Sequence, residues 1–110
     1  MDRKLLNRDP VLGEIVRRLV DVFNPERVYL FGSKARGDEN PDSDYDLMVI
    51  MPGNSPPELI RSRIAYESLW GTGIAADVIV WTHSLFERRK HVVASLPATM
   101  LREGKLVYAT

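Results

Sequence analysis

The sequence predicts an α/β (α+β) fold, with a mixed β-sheet of about four strands and helices packed against it. Two observations indicate this class. Stretches with helical spacing of apolar residues alternate along the chain with short runs rich in β-branched and aromatic residues. The chain has 110 residues, of which 45% are apolar, and that content supports one hydrophobic core. We therefore expect residues 1–110 to form a single domain.

The helices are predicted from apolar periodicity and from capping residues. In the first, residues 10–23, apolar side chains recur every three or four positions. Asp9 suits its N-cap, Pro10 suits its first turn, and Asn24-Pro25 ends it. Further helices are predicted over residues 56–70, from capping residues 82–84 through Lys90, and over 94–103. We expect Trp70 and Trp81 to belong to the core.

The strands are the short apolar runs between these helices. They are predicted at residues 27–31, 44–51, 75–81 and 105–108. A loop with one helical turn over residues 33–36 separates the first two. Tyr45 is expected on the face of its strand opposite its two acidic neighbours, where it would pack in the core.

Asp44 and Asp46 stand one residue apart at the start of a predicted buried strand. Alternation places both on one face, roughly 6.5–7 Å apart between Cα atoms. Two like charges beside a core require compensation. Mg²⁺ provides it, because this ion prefers oxygen ligands and commonly takes one or two carboxylates together with substrate phosphate. We therefore expect a magnesium site here.

Gly32-Ser33 and Asp77 complete the predicted site. A glycine turn after a strand allows close backbone approach to an anion, with N–H groups available to phosphate. Asp77 is the only acid in the third predicted strand, and it joins the site if that strand pairs with 44–51. Three carboxylates, one or two Mg²⁺ ions and a phosphate-binding turn indicate phosphoryl or nucleotidyl transfer. Lys34 and Arg36 either contact phosphate or are solvated.

Two common motifs fail at decisive positions. Gly32 to Gly37 has the glycine spacing of a P-loop, but Asp38-Glu39 replaces the lysine and hydroxyl residue that a P-loop requires. The acids from Asp42 onward begin like a calcium loop, but Leu47 stands where that loop needs glycine.

Composition and charge exclude further classes. Fifteen basic and fifteen acidic residues give a net charge of zero, so we expect no direct nucleic-acid binding. The absence of cysteine excludes disulfides and thiolate metal sites. The N-terminus lacks the apolar segment of a signal peptide, and no apolar run reaches the length of a membrane span. We expect a cytoplasmic protein.

The stretch FGSKARGDENPDSDYDLMVI resembles the nucleotidyltransferase superfamily of DNA polymerase beta. The family signature is Gly-Ser or Gly-Gly, then roughly ten residues, then Asp-x-Asp between apolar residues, with a third acid on a later strand. Asp77 fits that third acid. The finer pattern is similar to that of the minimal nucleotidyltransferases of bacteria and archaea; it comprises Gly32, Ser33, Ala35, Arg36, Gly37, Ser43, Asp44, Asp46 and Leu47.

This resemblance implies specific roles. Asp44, Asp46 and Asp77 would be the catalytic and metal-binding residues, and Gly32, Ser33 and Arg36 would bind the nucleotide. The cofactor would be Mg²⁺ and the substrate a nucleoside triphosphate, usually ATP. Minimal members are often paired with a HEPN-domain protein, and some act as antitoxins by transferring AMP to a tyrosine of that partner.

Three functions remain as hypotheses at this point. The first is AMP transfer to a partner tyrosine. The second is a module that neutralises a toxin by binding alone, and the third is nucleotidyl transfer to an antibiotic hydroxyl. A homodimer also remains an alternative for completing the site.

Overall fold

The computed structural model describes residues 3–37, 44–53, 55 and 62–110. The helices are α1 (Arg3–Arg8), α2 (Pro10–Phe23), α3 (Gly32–Arg36), α4 (Ser62–Ser68), α5 (His83–Arg89) and α6 (Leu96–Glu103). The strands are β1 (Arg27–Phe31), β2 (Tyr45–Met51), β3 (Ala76–Thr82) and β4 (Lys105–Ala109). Part of the helix predicted over 56–70 lies outside the described residues.

The strands form one mixed sheet, which confirms the predicted fold class. Its order is β3-β2-β1-β4. β1 pairs antiparallel with both β2 and β4, whereas β2 and β3 run parallel. The parallel pair requires a crossover between its two strands, and α4 lies in that connection. The C-terminal end of α4 therefore returns to the end of the sheet at which β2 and β3 begin.

Helices cover both faces of the sheet. On one face, α2 buries Leu12, Ile15 and Leu19 completely, in a cluster that includes Leu47 and Val49 of β2. On the other face, Phe86 of α5 and Met100 of α6 pack with side chains of the alternate β2 positions. The residues of β2 on this second face are Met48 and Ile50.

α2 begins as predicted, because the Asp9 side chain accepts a hydrogen bond from the Leu12 N–H at 3.1 Å. On its exposed side, hydrogen bonds from Arg17 and then Arg18 lower the pKa of Glu14 to about 2. Arg18 also donates to the Ser68 carbonyl oxygen at 3.1 Å, and this bond ties α2 to the end of α4.

Periodicity did not predict α1. Its six residues carry only two apolar side chains, Leu5 and Leu6, too few to define a helical stripe. Both pack against the core cluster beneath α2. Tertiary packing therefore stabilises a helix that is too short to form alone.

A charged cluster joins β1 to α5 at the other end of the sheet, where β2 and β3 finish. His83 Nδ1 lies 2.6 Å from Glu26 Oε1. Arg27 Nε is 3.6 Å from Glu26 Oε1, and Arg27 also donates a hydrogen bond to the Tyr29 hydroxyl at 2.8 Å. At the C-terminal end of α5, a hydrogen bond from Lys90 lowers the pKa of Glu87. The sequence predicts His83 only as one of the capping residues 82–84, because the partners in this contact lie far apart in the chain.

None of the helices in the described ranges combines the length and the apolar character that crossing a membrane would require.

Substituting Leu19 tests whether α2 is the principal cover of its face. Leu19→Ala removes a side chain that is 0% exposed, and we expect it to lower the free energy of unfolding by about 2–5 kcal/mol. Leu101→Ala is the matched control, because this helical leucine is 51% exposed; about 0.5 kcal/mol or less is expected. Urea unfolding measures both, and equal losses would contradict the packing described for α2.

Candidate active site

The parallel register of β2 and β3 brings two predicted site residues together. Asp46 and Asp77 are direct register partners. Partners in a parallel pair share a face, and neighbouring strands lie about 4.8 Å apart. Asp46 is partly buried and Asp77 is exposed. Both therefore project from the face that α5 and α6 cover, at the end of the sheet where β2 and β3 begin.

Gly32 lies directly against the Asp46 carboxylate. It follows Phe31, the β1 partner of Asp46, and begins α3. Its φ is +73°, a left-handed conformation that favours glycine. A Cβ at this position would overlap Asp46 Oδ2 and lie 3.1 Å from Asp46 Cγ. Backbone and carboxylate thus meet in a space that any side chain would fill.

Asp44 lies outside the register pair that Asp46 and Asp77 form. It is exposed and precedes β2 by one residue, on the strand side shared with Asp46 by alternation. Among the side chains of the described part of the chain, no group of three or more His, Cys, Asp or Glu residues lies close enough to hold a metal ion. The sheet therefore gathers the pair Asp46–Asp77, with Asp44 two residues away along the chain.

Ser33 and Arg36 lie in α3, immediately after Gly32. Their side chains lie outside the described part of the structure. Lys34, between them, places its ammonium 4.4 Å from the centre of the Tyr45 ring. This cation–π contact directs Lys34 toward the face of β2 that is opposite Asp46.

Tyr45 has a polar role that the sequence analysis missed. Its ring packs against the core cluster, as expected, but its hydroxyl donates to the Asp9 carboxylate at 2.8 Å. The same carboxylate caps α2. Asp9 therefore fastens the start of β2 to the start of α2, and this bond holds the segment that carries both Asp44 and Asp46.

The prediction that Trp70 belongs to the core is wrong. Its side chain is 84% exposed, in the turn after α4, although Leu69 beside it is buried. The turn after α4 leads into β3, so Trp70 lies at the same end of the sheet as Asp77. Trp81 does pack against the second core cluster.

The chain matches a known family. The model of the nucleotidyltransferase domain matches residues 12–101. The chain therefore belongs to the nucleotidyltransferase domain family, and it is a nucleotidyltransferase. A Methanocaldococcus jannaschii protein, provisionally named a protein adenylyltransferase, is 26% identical over 105 residues, which cover 94% of this chain and 100% of that protein.

Solved structures show the same fold. A crystal structure of a Sulfolobus solfataricus protein, provisionally named a nucleotidyltransferase, has a TM-score of 0.61 at 24% identity, covering 96% of this chain and 85% of that one. A toxin–antitoxin structure with AMP-PNP has a TM-score of 0.59 at 19% identity. A mutant of the MntA-HpeT toxin–antitoxin has 0.58 at 17% identity. Each of these last two covers 89% of this chain and 73% of the other.

Substituting Gly32 tests the close contact with Asp46. Gly32→Ala introduces left-handed strain of about 1–2 kcal/mol, and its methyl group also displaces the Asp46 carboxylate. Gly71→Ala is the matched control, because φ there is +80° and no atom of the described residues lies within 4 Å of an added Cβ. We expect Gly32→Ala to destabilise the protein by at least about 1 kcal/mol more than Gly71→Ala, as measured by urea unfolding. Equal destabilisation would show that Gly32 and Asp46 are not in contact.

Proposed function

We propose that this protein is a magnesium-dependent adenylyltransferase that moves AMP from ATP to a tyrosine hydroxyl of a partner HEPN protein, and so acts as an antitoxin. The observation that carries the proposal is the in-register pair Asp46–Asp77 beside Gly32. The ATP that the reaction consumes points to the cytoplasm.

The donor set suits magnesium. Asp46 and Asp77 offer carboxylate oxygens from neighbouring strands on one face, and Asp44 adds a third carboxylate two residues from Asp46. Hard oxygen donors of this kind are those that Mg²⁺ prefers. When bound, the metal would neutralise charge on the triphosphate and acidify the attacking hydroxyl.

The chain's own residues have separate tasks in this scheme. Gly32 and Ser33 bind the β- and γ-phosphates, because the turn between β1 and α3 brings backbone close to the ligand; Arg36 adds positive charge there. Asp77 accepts the proton of the acceptor hydroxyl. The hydroxyl oxygen forms a bond to the α-phosphorus, the bond from the α-phosphorus to the bridging oxygen breaks, and pyrophosphate leaves toward Gly32.

The relatives support a protein acceptor. The name of the Methanocaldococcus jannaschii relative specifies protein as the acceptor of the adenylyl group. Two fold neighbours are toxin–antitoxin structures, one of which contains the ATP analogue AMP-PNP. Those neighbours also favour a second candidate, namely a module that neutralises a toxin by binding and does not modify it.

Transfer of label from α-phosphate-labelled ATP distinguishes these candidates. The chain is incubated with Mg²⁺ and the product of the neighbouring reading frame, and label on that protein is quantified. We expect Asp46→Asn and Asp77→Asn to lower the rate by about a hundredfold or more, since each removes a metal ligand or the proton acceptor. Asp21→Asn, at an exposed acid of α2, is the control and should transfer label normally.

Two results would contradict the proposed catalytic function. A tight complex that carries no label, and that forms equally with wild type and Asp46→Asn, would favour the binding module. Label that moves at the wild-type rate in Asp77→Asn would show that this carboxylate has no part in the reaction.

A further inference from the structure

We propose that the acceptor protein binds as an extended strand added to the outer edge of β3, with its hydroxyl-bearing residue opposite Asp77. This inference rests on the proposed function, because it assigns an acceptor to the same site. It specifies the conformation and the register in which that acceptor is presented.

β3 is an edge strand that no lysine, proline or bulge protects in the described part of the chain. It ends the sheet order β3-β2-β1-β4, and among the described residues it pairs only with β2. Natural edges are commonly blunted by lysine, proline, bulges or short length. β3 has seven residues, no lysine and no proline, and its register with β2 is unbroken. Such an edge is a template for strand addition.

The side chains of β3 are also only half covered. In β2 the five residues from Leu47 to Met51 are all buried, whereas in β3 only Val78 is buried. Ile79 and Trp81 lie on the face that carries Asp77, and both are partly exposed. An added strand with apolar side chains would cover them, in continuity with the second core cluster.

The backbone direction of β3 follows from one bond. The Tyr45 N–H donates to the Ala75 carbonyl oxygen at 3.2 Å. Since the N–H and C=O groups of one residue point to the same side of a strand and alternate along it, residue 75 and the odd-numbered residues after it face β2. The N–H and C=O groups of Ala76, Val78 and Val80 therefore face outward, where they can pair with an incoming strand.

This direction fixes what an added strand would present. The residue opposite Asp77 shares its face, because register partners do so. In an antiparallel arrangement it forms a non-hydrogen-bonded pair with Asp77, and such pairs have the closer side chains. The row across the sheet is then the acceptor hydroxyl, Asp77 and Asp46, with Gly32 against the Asp46 carboxylate. This is the order that transfer requires: the nucleophile, its proton acceptor, the metal ligand and the phosphate-binding turn.

The chemistry of the edge favours an acceptor segment over a second copy of this chain. If two β3 strands paired antiparallel about Ile79, Trp81 of each copy would lie opposite Asp77 of the other. The indole would then occupy the place of the hydroxyl, and both sites would be blocked. An acceptor segment instead brings a hydroxyl to that place, with backbone groups to match those of Ala76 and Val78.

The first test measures binding without catalysis. The probe is a short capped peptide of alternating threonine and valine around one tyrosine, with terminal lysines for solubility. Amide hydrogen exchange in the full chain is followed by NMR with and without it. We expect the amides of Ala76, Val78 and Val80 to gain protection. Those of Asp77, Ile79 and Trp81 should change little, because β2 already accepts their hydrogen bonds.

The second test measures transfer of labelled AMP to the same peptide. Ala76→Pro removes an outward N–H at the first residue of β3, a position that tolerates proline. Ala109→Pro is the matched control on the other edge strand: the Thr110 N–H donates to the Glu26 carbonyl oxygen at 3.1 Å, so the Ala109 N–H faces outward from β4. We expect Ala76→Pro alone to raise KM for the peptide about tenfold.

The outcomes separate this inference from the proposed function. No added protection at Ala76, Val78 and Val80, or equal KM values for Ala76→Pro and Ala109→Pro, would overturn strand addition. Protection of those amides in the free protein that rises with its concentration would overturn it in favour of a second copy. If the small acceptor N-acetyltyrosinamide is modified while the peptide gains no protection, adenylyl transfer stands and strand addition fails. Alternating protection without any transfer would support strand addition and contradict the proposed function.

Discussion

The parallel pairing of β2 with β3 is the constraint that positions the candidate site. It brings Asp46 and Asp77 onto one face in adjacent strands, although 31 positions separate them in the chain. Carboxylate oxygens on one face of neighbouring strands are the hard donors that Mg²⁺ prefers. Their placement where both strands begin fits the magnesium site that we propose.

Other contacts hold the end of the sheet where β2 and β3 begin. Gly32 allows the turn after β1 to touch the Asp46 carboxylate, and the bond between Tyr45 and Asp9 fastens the start of β2 to α2. Most of the packing lies beyond the acids along the strands, on both faces of the sheet. The core thus supplies rigidity, whereas the edge keeps its polar groups close to solvent.

Local patterns predicted much of the fold. Periodicity and caps predicted α2, and the apolar runs predicted the four strands to within a residue or so of their observed ends. Local patterns were insufficient where contacts between distant residues decide the structure. α1 depends on packing against the core cluster, the contact of His83 with Glu26 joins segments 57 residues apart, and Trp70 falls in an exposed turn. The residue types of the site were readable from their spacing, but the register of β2 with β3 was not, because it is a long-range pairing.

Crystallography of the chain with Mn²⁺ and a non-hydrolysable ATP analogue would show where the metal binds relative to Asp46 and Asp77, since manganese is located by its anomalous scattering. We expect manganese bound to carboxylate oxygens of both Asp46 and Asp77, with the triphosphate against Gly32. Manganese bound away from Asp77, or a triphosphate on the opposite face of the sheet, would contradict it.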